Sequence, residues 1–363
     1  MEKQRLNREP RKGKDTMKRV NLTEDYSISR VLNGLWQLSQ GHSLKGSLDR
    51  KEIIAAFHEL VENGLTTFDL ADIYVGAEDI LGEFIQKIHQ NSLLTKDSIQ
   101  IHEKYVPDLT VLETVTFEDT ERIIDRSLKK LHRNQIDLLQ FHWWDYSIPR
   151  YVEVAEHLVK LQEKGKIKHI GVTNFDTPHL KELVDAGIPV LTSQSQYSLF
   201  DRRIEKNLLD YCQCEGIHHL CFGTLAGGYL SNKYLNQKDL QPETRSQVKY
   251  KQVIVQSFSM SDYQELLQLL DYIAQKHHVS IANVATKYIL EQDGVAGAII
   301  GVRNNRHVQS NLRIFDFELE KSDIQAIAEF IGQFENIAGE PYELERTPDS
   351  IFRSIIRMNE QKK

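Results

Sequence analysis

From Arg30 onward, short apolar runs alternate with longer segments whose apolar positions recur at helical spacing. The short runs are Val31–Trp36, Thr66–Ala71, Ile99–Lys104, Ile136–His142, His169–Asn174, Val190–Gln194, His219–Gly223 and Gly297–Val302. Their near-continuous apolar character predicts parallel strands buried on both faces. Between them, Arg50–Asn63 places Ile53, Ile54, Phe57, Leu60 and Val61 on one stripe, the pattern of an amphipathic helix. Glu118–Leu131, Val152–Glu163, Asp201–Tyr211, Tyr263–Lys276 and Ile281–Leu290 continue it. Glu118 and Asp119 suit a helix N-terminus, and Gly165 stands where a helix closes on a left-handed residue. Eight strand–helix units predict an α/β fold: a closed (β/α)8 TIM barrel with long loops at the C-terminal face of its strands.

Two stretches break the rhythm. Between Gly223 and the helix near Tyr263 lie roughly forty residues, beyond the ~12–15 usual for a structureless loop and therefore a candidate functional segment. After Gly339, Ile351, Phe352, Ile355 and Ile356 form a weak amphipathic helical pattern. No linker rich in Gly, Pro or Ser divides the chain, so residues 20–363 read as one barrel domain. Residues 1–19 carry eight Lys and Arg, with only Met1, Leu6 and Met17 as sizeable apolar groups. That is no signal peptide, and the expectation is a flexible, solvated basic tail.

Composition narrows the function classes. Apolar residues make up 40% of the 363 and charged residues 27%, which excludes a largely disordered chain. The longest apolar stretch, Gly294–Val302, is too short for a membrane-spanning helix. A net charge of −7 argues against a nucleic-acid partner. Cys212, Cys214 and Cys221 are too few for a disulfide scaffold, which favours a reducing, cytoplasmic setting.

In such a barrel, chemistry sits at the C-terminal ends of the strands. The runs end at Trp36, Asp69, Lys104, His142, Asn174, Gln194 and Phe222, with Arg303 just past the eighth and Tyr74 on the loop after Asp69. The set reads as an acid/base site. A free phenol, with a pKa of ~10, is a poor proton donor at neutral pH; a nearby ammonium lowers it, and a carboxylate holds the ammonium in place. A histidine can orient a substrate oxygen or share the proton. Tyr74, Lys104, Asp69 and His142 supply those parts.

The run Thr67-Phe68-Asp69-Leu70-Ala71-Asp72-Ile73-Tyr74, with Glu78 and Leu81-Gly82 beyond it, resembles the aldo-keto reductase signature. The resemblance continues through Lys104, Ile136-Asp137-Leu138 to His142, Gly171-Val172-Thr173-Asn174-Phe175, Gln194 with Gln196-Tyr197-Ser198-Leu199, and Ile300-Gly301-Val302-Arg303 to Asn311. It covers roughly residues 28–335 in order, and the whole series is specific where one piece would be weak. It implies reversible hydride transfer between NADP(H), with NAD possible, and the carbonyl or alcohol form of a small aldehyde, ketone or sugar. On the same grounds, Tyr74 matches the general acid, Lys104 and Asp69 its tuning pair, and His142 the substrate-orienting imidazole. Asn174 and Gln194 match the nicotinamide carboxamide pair, with Thr173 beside them in the same motif. Phe222 falls where an aromatic stacks on the nicotinamide, and Arg303 and Asn311 where the adenosine phosphate and adenine are held. Trp36 matches a pocket-lining aromatic, and in the family the long connection after the seventh strand folds over the cofactor.

Several positions depart from the family pattern. Val75 follows the tyrosine where Gly is frequent, with Gly76 next. Ser193 precedes Gln194 where Asn is frequent, and His307 stands where a charged or amide residue contacts the adenosine phosphate. After His142 come Trp143, Trp144 and Asp145, suggesting an aromatic-walled substrate pocket. Alone, Asp69 and Lys104 could be a structural ion pair, and Trp36 and Phe222 simple packing. The cysteine spacing does not match paired zinc ligands, so no metal is expected. A second function class stays open, a cofactor-binding regulatory subunit on the same fold. A third, a metal-assisted barrel hydrolase, would need inward ligands on a first strand that reads Leu32-Asn33-Gly34-Leu35-Trp36.

Overall fold

Arg19–Asn21 (β1) and Ser27–Ser29 (β2) form an antiparallel hairpin ahead of the barrel. The computed structural model describes residues 18–40, 42, 48–91 and 98–356. Of the basic tail expected over residues 1–19, all but Lys18 and Arg19 lie outside the described residues. Arg19 belongs to the fold rather than to a tail: its guanidinium donates to Thr66 Oγ1 at 2.7 Å and to Ser27 O at 2.7 Å.

The eight apolar runs are eight parallel strands: Val31–Gly34 (β3), Thr67–Asp69 (β4), Gln100–Tyr105 (β5), Ile136–Phe141 (β6), Ile167–Thr173 (β7), Val190–Gln196 (β8), His218–Phe222 (β9) and Val295–Gly301 (β10). They close in the order β10-β3-β4-β5-β6-β7-β8-β9. Trp36, His142 and Asn174 lie just past their ladders, at the rim. The register sets Gly34 opposite Asp69, Lys104 opposite Gln140 and Thr173 opposite Gln194, so the polar strand ends share a level. Below them, Leu32, Leu138 and Leu220 form an apolar layer, which Leu22, Tyr26 and Ile28 of the hairpin cover from beneath. Burying such an aliphatic side chain contributes about 1.5–3 kcal/mol. The Tyr26 hydroxyl and His102 Nε2 are hydrogen-bonded at 2.9 Å, satisfying two buried polar groups.

The outer helices follow the periodicity. Arg50–Glu62, Phe117–Leu131, Tyr151–Glu163, Met260–Lys276 and Ile281–Leu290 carry the expected apolar faces inward. Thr116 and Asp119 make a reciprocal capping box at the second of these, and Gly165 takes the left-handed φ of +75° just past the third. Ala77–Asn91 and Thr177–Asp185 add helices the stripe analysis did not single out. The helix expected over Asp201–Tyr211 is corrected: Arg203–Glu205 is a 3-10 turn, and the α-helix is Leu208–Cys214. The cause is local. Arg203 Nε and Nη2 donate to the Asp201 carboxylate at 2.9 and 2.7 Å, a buried fork that holds this stretch out of helix.

The long connection is ordered over the mouth. It contains helix Arg245–Ser257, capped where Thr244 Oγ1 accepts from Gln247 N at 3.2 Å. Gly223, at φ +77°, lets the Tyr250 ring lie against the strand end; a Cβ there would fall 2.1 Å from the phenol oxygen. The C-terminal segment, with short helices Glu343–Arg346 and Ile351–Ile355, closes the other side. Lys249 Nζ reaches Glu345 at 2.8 Å and Arg203 reaches it at 3.5 Å, so the connection and the C-terminal segment share one buried carboxylate. Its pKa is held down to about 2; the two cations outweigh the burial that raises it.

Candidate active site

The strand ends open into one cavity of about 810 Å³. Tyr74, Lys104, Asp69, His142, Trp36, Trp144, Thr173, Asn174, Gln194, Phe222, Arg303 and Asn311 all line it. Of the candidate catalytic, cofactor and pocket residues named from the sequence, Trp143 alone does not line it. It is a correction with a clear cause: the side chain after His142 turns back into the core. Its indole N–H donates to the carbonyls of Asp145 and Ile148, both at 2.9 Å, and its ring packs on Phe141.

Asp69 ends β4, and Tyr74 sits on the turn that follows. Tyr74 N donates to Ala71 O at 2.9 Å, and Ala77 N donates to Tyr74 O at 2.9 Å. The glycine that lets the chain turn is displaced by one position relative to the family pattern: Gly76, not residue 75, carries the positive φ of +89°. Trp36 packs on the phenol, with ring centroids 4.9 Å apart. The Trp36 N–H donates to Ser246 Oγ at 3.1 Å, tying this wall to the covering connection.

Lys104 donates to Asp69 Oδ1 in a short ion pair and to Leu70 O at 3.1 Å. Its Nζ lies 5.6 Å from the Tyr74 ring centroid. Two of its three protons are therefore committed. The lowered phenol pKa expected from the sequence does not hold in this geometry. Burial pushes the Tyr74 phenol well above its usual value, and the Asp69 and Glu103 carboxylates add to the shift. The phenol is neutral and protonated.

His142 Nδ1 lies 3.1 Å from Thr173 O. A carbonyl only accepts, so Nδ1 carries the proton. Burial, then the Arg346 charge, lowers the imidazole pKa to about 3. The ring is neutral, and Nε2 is a buried acceptor with no protein partner. Trp144 and Tyr342 contact His142 edge-on, at 4.4 and 5.5 Å between centroids. The Trp144 N–H is likewise buried without a partner.

On the opposite wall, Asn174 adopts a left-handed φ of 61°. Its N–H donates to Gln194 O at 2.8 Å and its carbonyl accepts from Arg346 Nη2 at 2.9 Å, while its side-chain Oδ1 is buried with no partner. Gln194 Nε2 donates to Asp69 Oδ2 at 2.7 Å and to Gln140 Oε1 at 2.6 Å. Phe222 lies at the end of β9 with Lys249 Nζ 5.9 Å from its ring. Past β10, Arg303, Arg306 and His307 line the cavity with Arg245 from the connection. Burial, then the nearby Arg303 and Arg245 charges, lowers the pKa of His42 to about 4.

Sequence reasoning missed several wall residues. It also missed Gln140, fully buried behind the wall and bonded to Asp69 and Gln194; that one was within reach, since it lies two positions before His142 and the period of two puts both on the inward face. Arg245, Ser246 and Lys249 belong to a connection whose sequence shows no strand register, and Tyr342 to a segment far along the chain. Only folding brings those four to the mouth.

The sequence profile of the Aldo/keto reductase family matches residues 30–331. The chain is 28% identical to the aldo-keto reductase YhdN of Bacillus subtilis (strain 168), over 81% of this chain and 87% of that protein. It is 26% identical to the NADH-specific methylglyoxal reductase of Escherichia coli (strain K12), over 86% and 98%. Among solved structures, the glycerol dehydrogenase AKR11B4 from Gluconobacter oxydans superposes with a TM-score of 0.72 at 24% identity, covering 87% of this chain and 96% of that one. An aldo/keto reductase from Klebsiella pneumoniae, in complex with NADP and acetate, gives 0.66 at 22%, covering 86% and 95%; both likenesses speak to the barrel itself. With a profile match across more than four-fifths of its length and a closed eight-stranded barrel, the chain belongs to the aldo/keto reductase family.

Proposed function

We propose that the chain is an NAD(P)H-dependent carbonyl reductase that works reversibly on small aldehydes and ketones, with Tyr74 as the proton donor. The observation that carries the reading is that Tyr74, Lys104, Asp69 and His142 all line one cavity. The residues present also fit a nicotinamide dinucleotide. The orphaned amide oxygen of Asn174 and the amide of Gln194 are chemically matched to a carboxamide. The cations Arg245, Arg303 and Arg306, which line the same cavity, suit phosphates. A bound reduced nicotinamide supplies hydride to the carbonyl carbon.

The protein's part is proton delivery and position. The Tyr74 hydroxyl donates to the substrate oxygen and transfers its proton as negative charge develops there. The high phenol pKa keeps that proton in place beforehand. The third proton of Lys104 is available to the phenolate that results, and Asp69 keeps the ammonium charged and aimed. His142, neutral and with Nε2 bare, accepts from a hydroxyl of the bound substrate or of the alcohol formed. Trp36, Trp144 and Tyr342 exclude water around the reacting carbon. Arg303 and Arg306 favour a cofactor with a 2′-phosphate, so NADPH is preferred over NADH. The methylglyoxal and glyoxal reductases among its relatives put short carbonyls first among substrates to try.

The test is absorbance loss of NADPH, then NADH, with a panel of aldehydes, ketones and aldoses, using the native chain and Tyr74→Phe. Turnover confined to the native chain supports the reading. Dinucleotide binding without turnover on any panel member would replace the enzyme with a cofactor-binding regulatory protein.

A further inference from the structure

Asp69 is gripped by more than its lysine. Gln140, fully buried on β6, donates Nε2 to Asp69 Oδ2 at 2.9 Å. Gln194 Nε2 donates to the same oxygen at 2.7 Å and to Gln140 Oε1 at 2.6 Å. The three side chains close a ring of hydrogen bonds, and Lys104 holds the remaining carboxylate oxygen.

The chemistry of the ring fixes which way each amide faces. A carboxylate only accepts, so both amides must turn nitrogen toward Asp69. That leaves Gln140 Oε1 as the acceptor for the second proton of Gln194. Both protons of the Gln194 nitrogen are then used, and the one group Gln194 can offer the cavity is its oxygen. Rotating this amide would set its oxygen against the Asp69 carboxylate inside the barrel, where an unmet buried acceptor costs about 1–3 kcal/mol or more.

We infer that Gln140 is a positioning residue: it locks Gln194 as an acceptor-only group, so that the site recognises the NH2 of a nicotinamide carboxamide and binds it to the same hydrogen-bonded unit that holds Asp69 and Lys104. The inference rests on the cofactor reading above and adds a polarity to it. The side of the carboxamide facing β8 is its nitrogen. Cofactor binding and the placement of the ammonium beside Tyr74 then become one event, because they share Asp69.

The test compares NADPH with its 3-acetylpyridine analogue, in which a methyl group replaces the carboxamide NH2. Dissociation constants come from quenching of tryptophan fluorescence on the full chain. The native protein is expected to bind the analogue about tenfold more weakly, the scale of one well-made hydrogen bond in a buried site. In Gln140→Leu the second Gln194 proton loses its acceptor and only the bond to Asp69 still orients the amide, so the ratio should fall. Gln140→Glu is the second variant. A protonated Glu keeps the ring: its hydroxyl donates to Asp69, and its carbonyl accepts from Gln194. An ionised Glu breaks the ring by repelling Asp69. That variant should show NADPH affinity and kcat/KM that recover as pH falls, a dependence the native chain lacks. A folded Gln140→Leu with the native ratio, a native protein indifferent to the analogue, or a Gln140→Glu pH profile parallel to the native one would overturn the inference. Failure of any dinucleotide to bind overturns the underlying cofactor reading instead, and is distinguished by that.

Discussion

The backbone carbonyl of Thr173 decides which nitrogen of His142 carries the proton. At 3.1 Å from Nδ1 it can only accept, and the burial that lowers the ring's pKa to about 3 keeps the second nitrogen bare. His102 and His219 are also buried and lowered to about 3, and His42 to about 4. The unfolded chain protonates its histidines near pH ~6.5. Below that value the unfolded state binds more protons than the folded one, so stability is lost as pH falls from there toward the folded pKa values. We expect the urea midpoint to drop steadily between pH 7 and pH 5. A flat midpoint across that interval would contradict four neutral buried imidazoles.

Tyr74→Phe removes the hydroxyl proposed as the proton donor. It should lower kcat by about 10²–10⁴, the usual share of a general acid, with cofactor affinity changed little. The check is steady-state kinetics beside a dinucleotide titration.

Lys104→Met strips the ammonium from a buried carboxylate. The Gln140 and Gln194 amides still reach Asp69, but the charge is left unpaired. Breaking such a pair costs about 3–5 kcal/mol. Both kcat and the melting temperature should fall, and Lys104→Met with Asp69→Asn should regain part of the stability while staying inactive. A double variant no more stable than the single one argues against the pairing.

Trp143 and Trp144 are adjacent in sequence and opposite in placement. Trp143→Ala empties a fully buried site and should cost about 3–5 kcal/mol, with substrate preference among folded molecules unchanged. Trp144→Ala opens the cavity wall beside His142 and should change KM across a substrate panel at modest loss of stability. Denaturation curves and a KM panel on both variants separate the two.

Arg303→Ala should weaken NADPH by tenfold or more, about the 1.5–3 kcal/mol of a charge-assisted hydrogen bond, and NADH far less. Equal loss for both cofactors removes the phosphate role.

The barrel was legible because its strands are buried on both faces and so write themselves as unbroken apolar runs. Asp69, Lys104 and His142 were legible for the opposite reason, as polar residues where such runs stop. Arg19 and the β1–β2 hairpin were not, since three-residue strands carry too few positions for a pattern. Nor was the direction of the Tyr74 shift. The sequence places a lysine near the phenol but says nothing of the two oxygens that already hold that lysine, or of the desolvation that outweighs it. The two tryptophans were read together because chain proximity implies a shared site; a single turn after β6 sends one inward and the other to the mouth.

The hairpin beneath the barrel has one more consequence. With Tyr26 and Ile28 packed against the Leu32 layer, the described residues fill the lower end of the barrel, and the cavity opens at the strand ends instead. Any molecule seated in that opening stands between the phenol and its supply of fresh protons. Under the proposed function, replenishing the hydroxyl waits until the occupant departs, which ties the cycle to that opening as much as to the reacting bond.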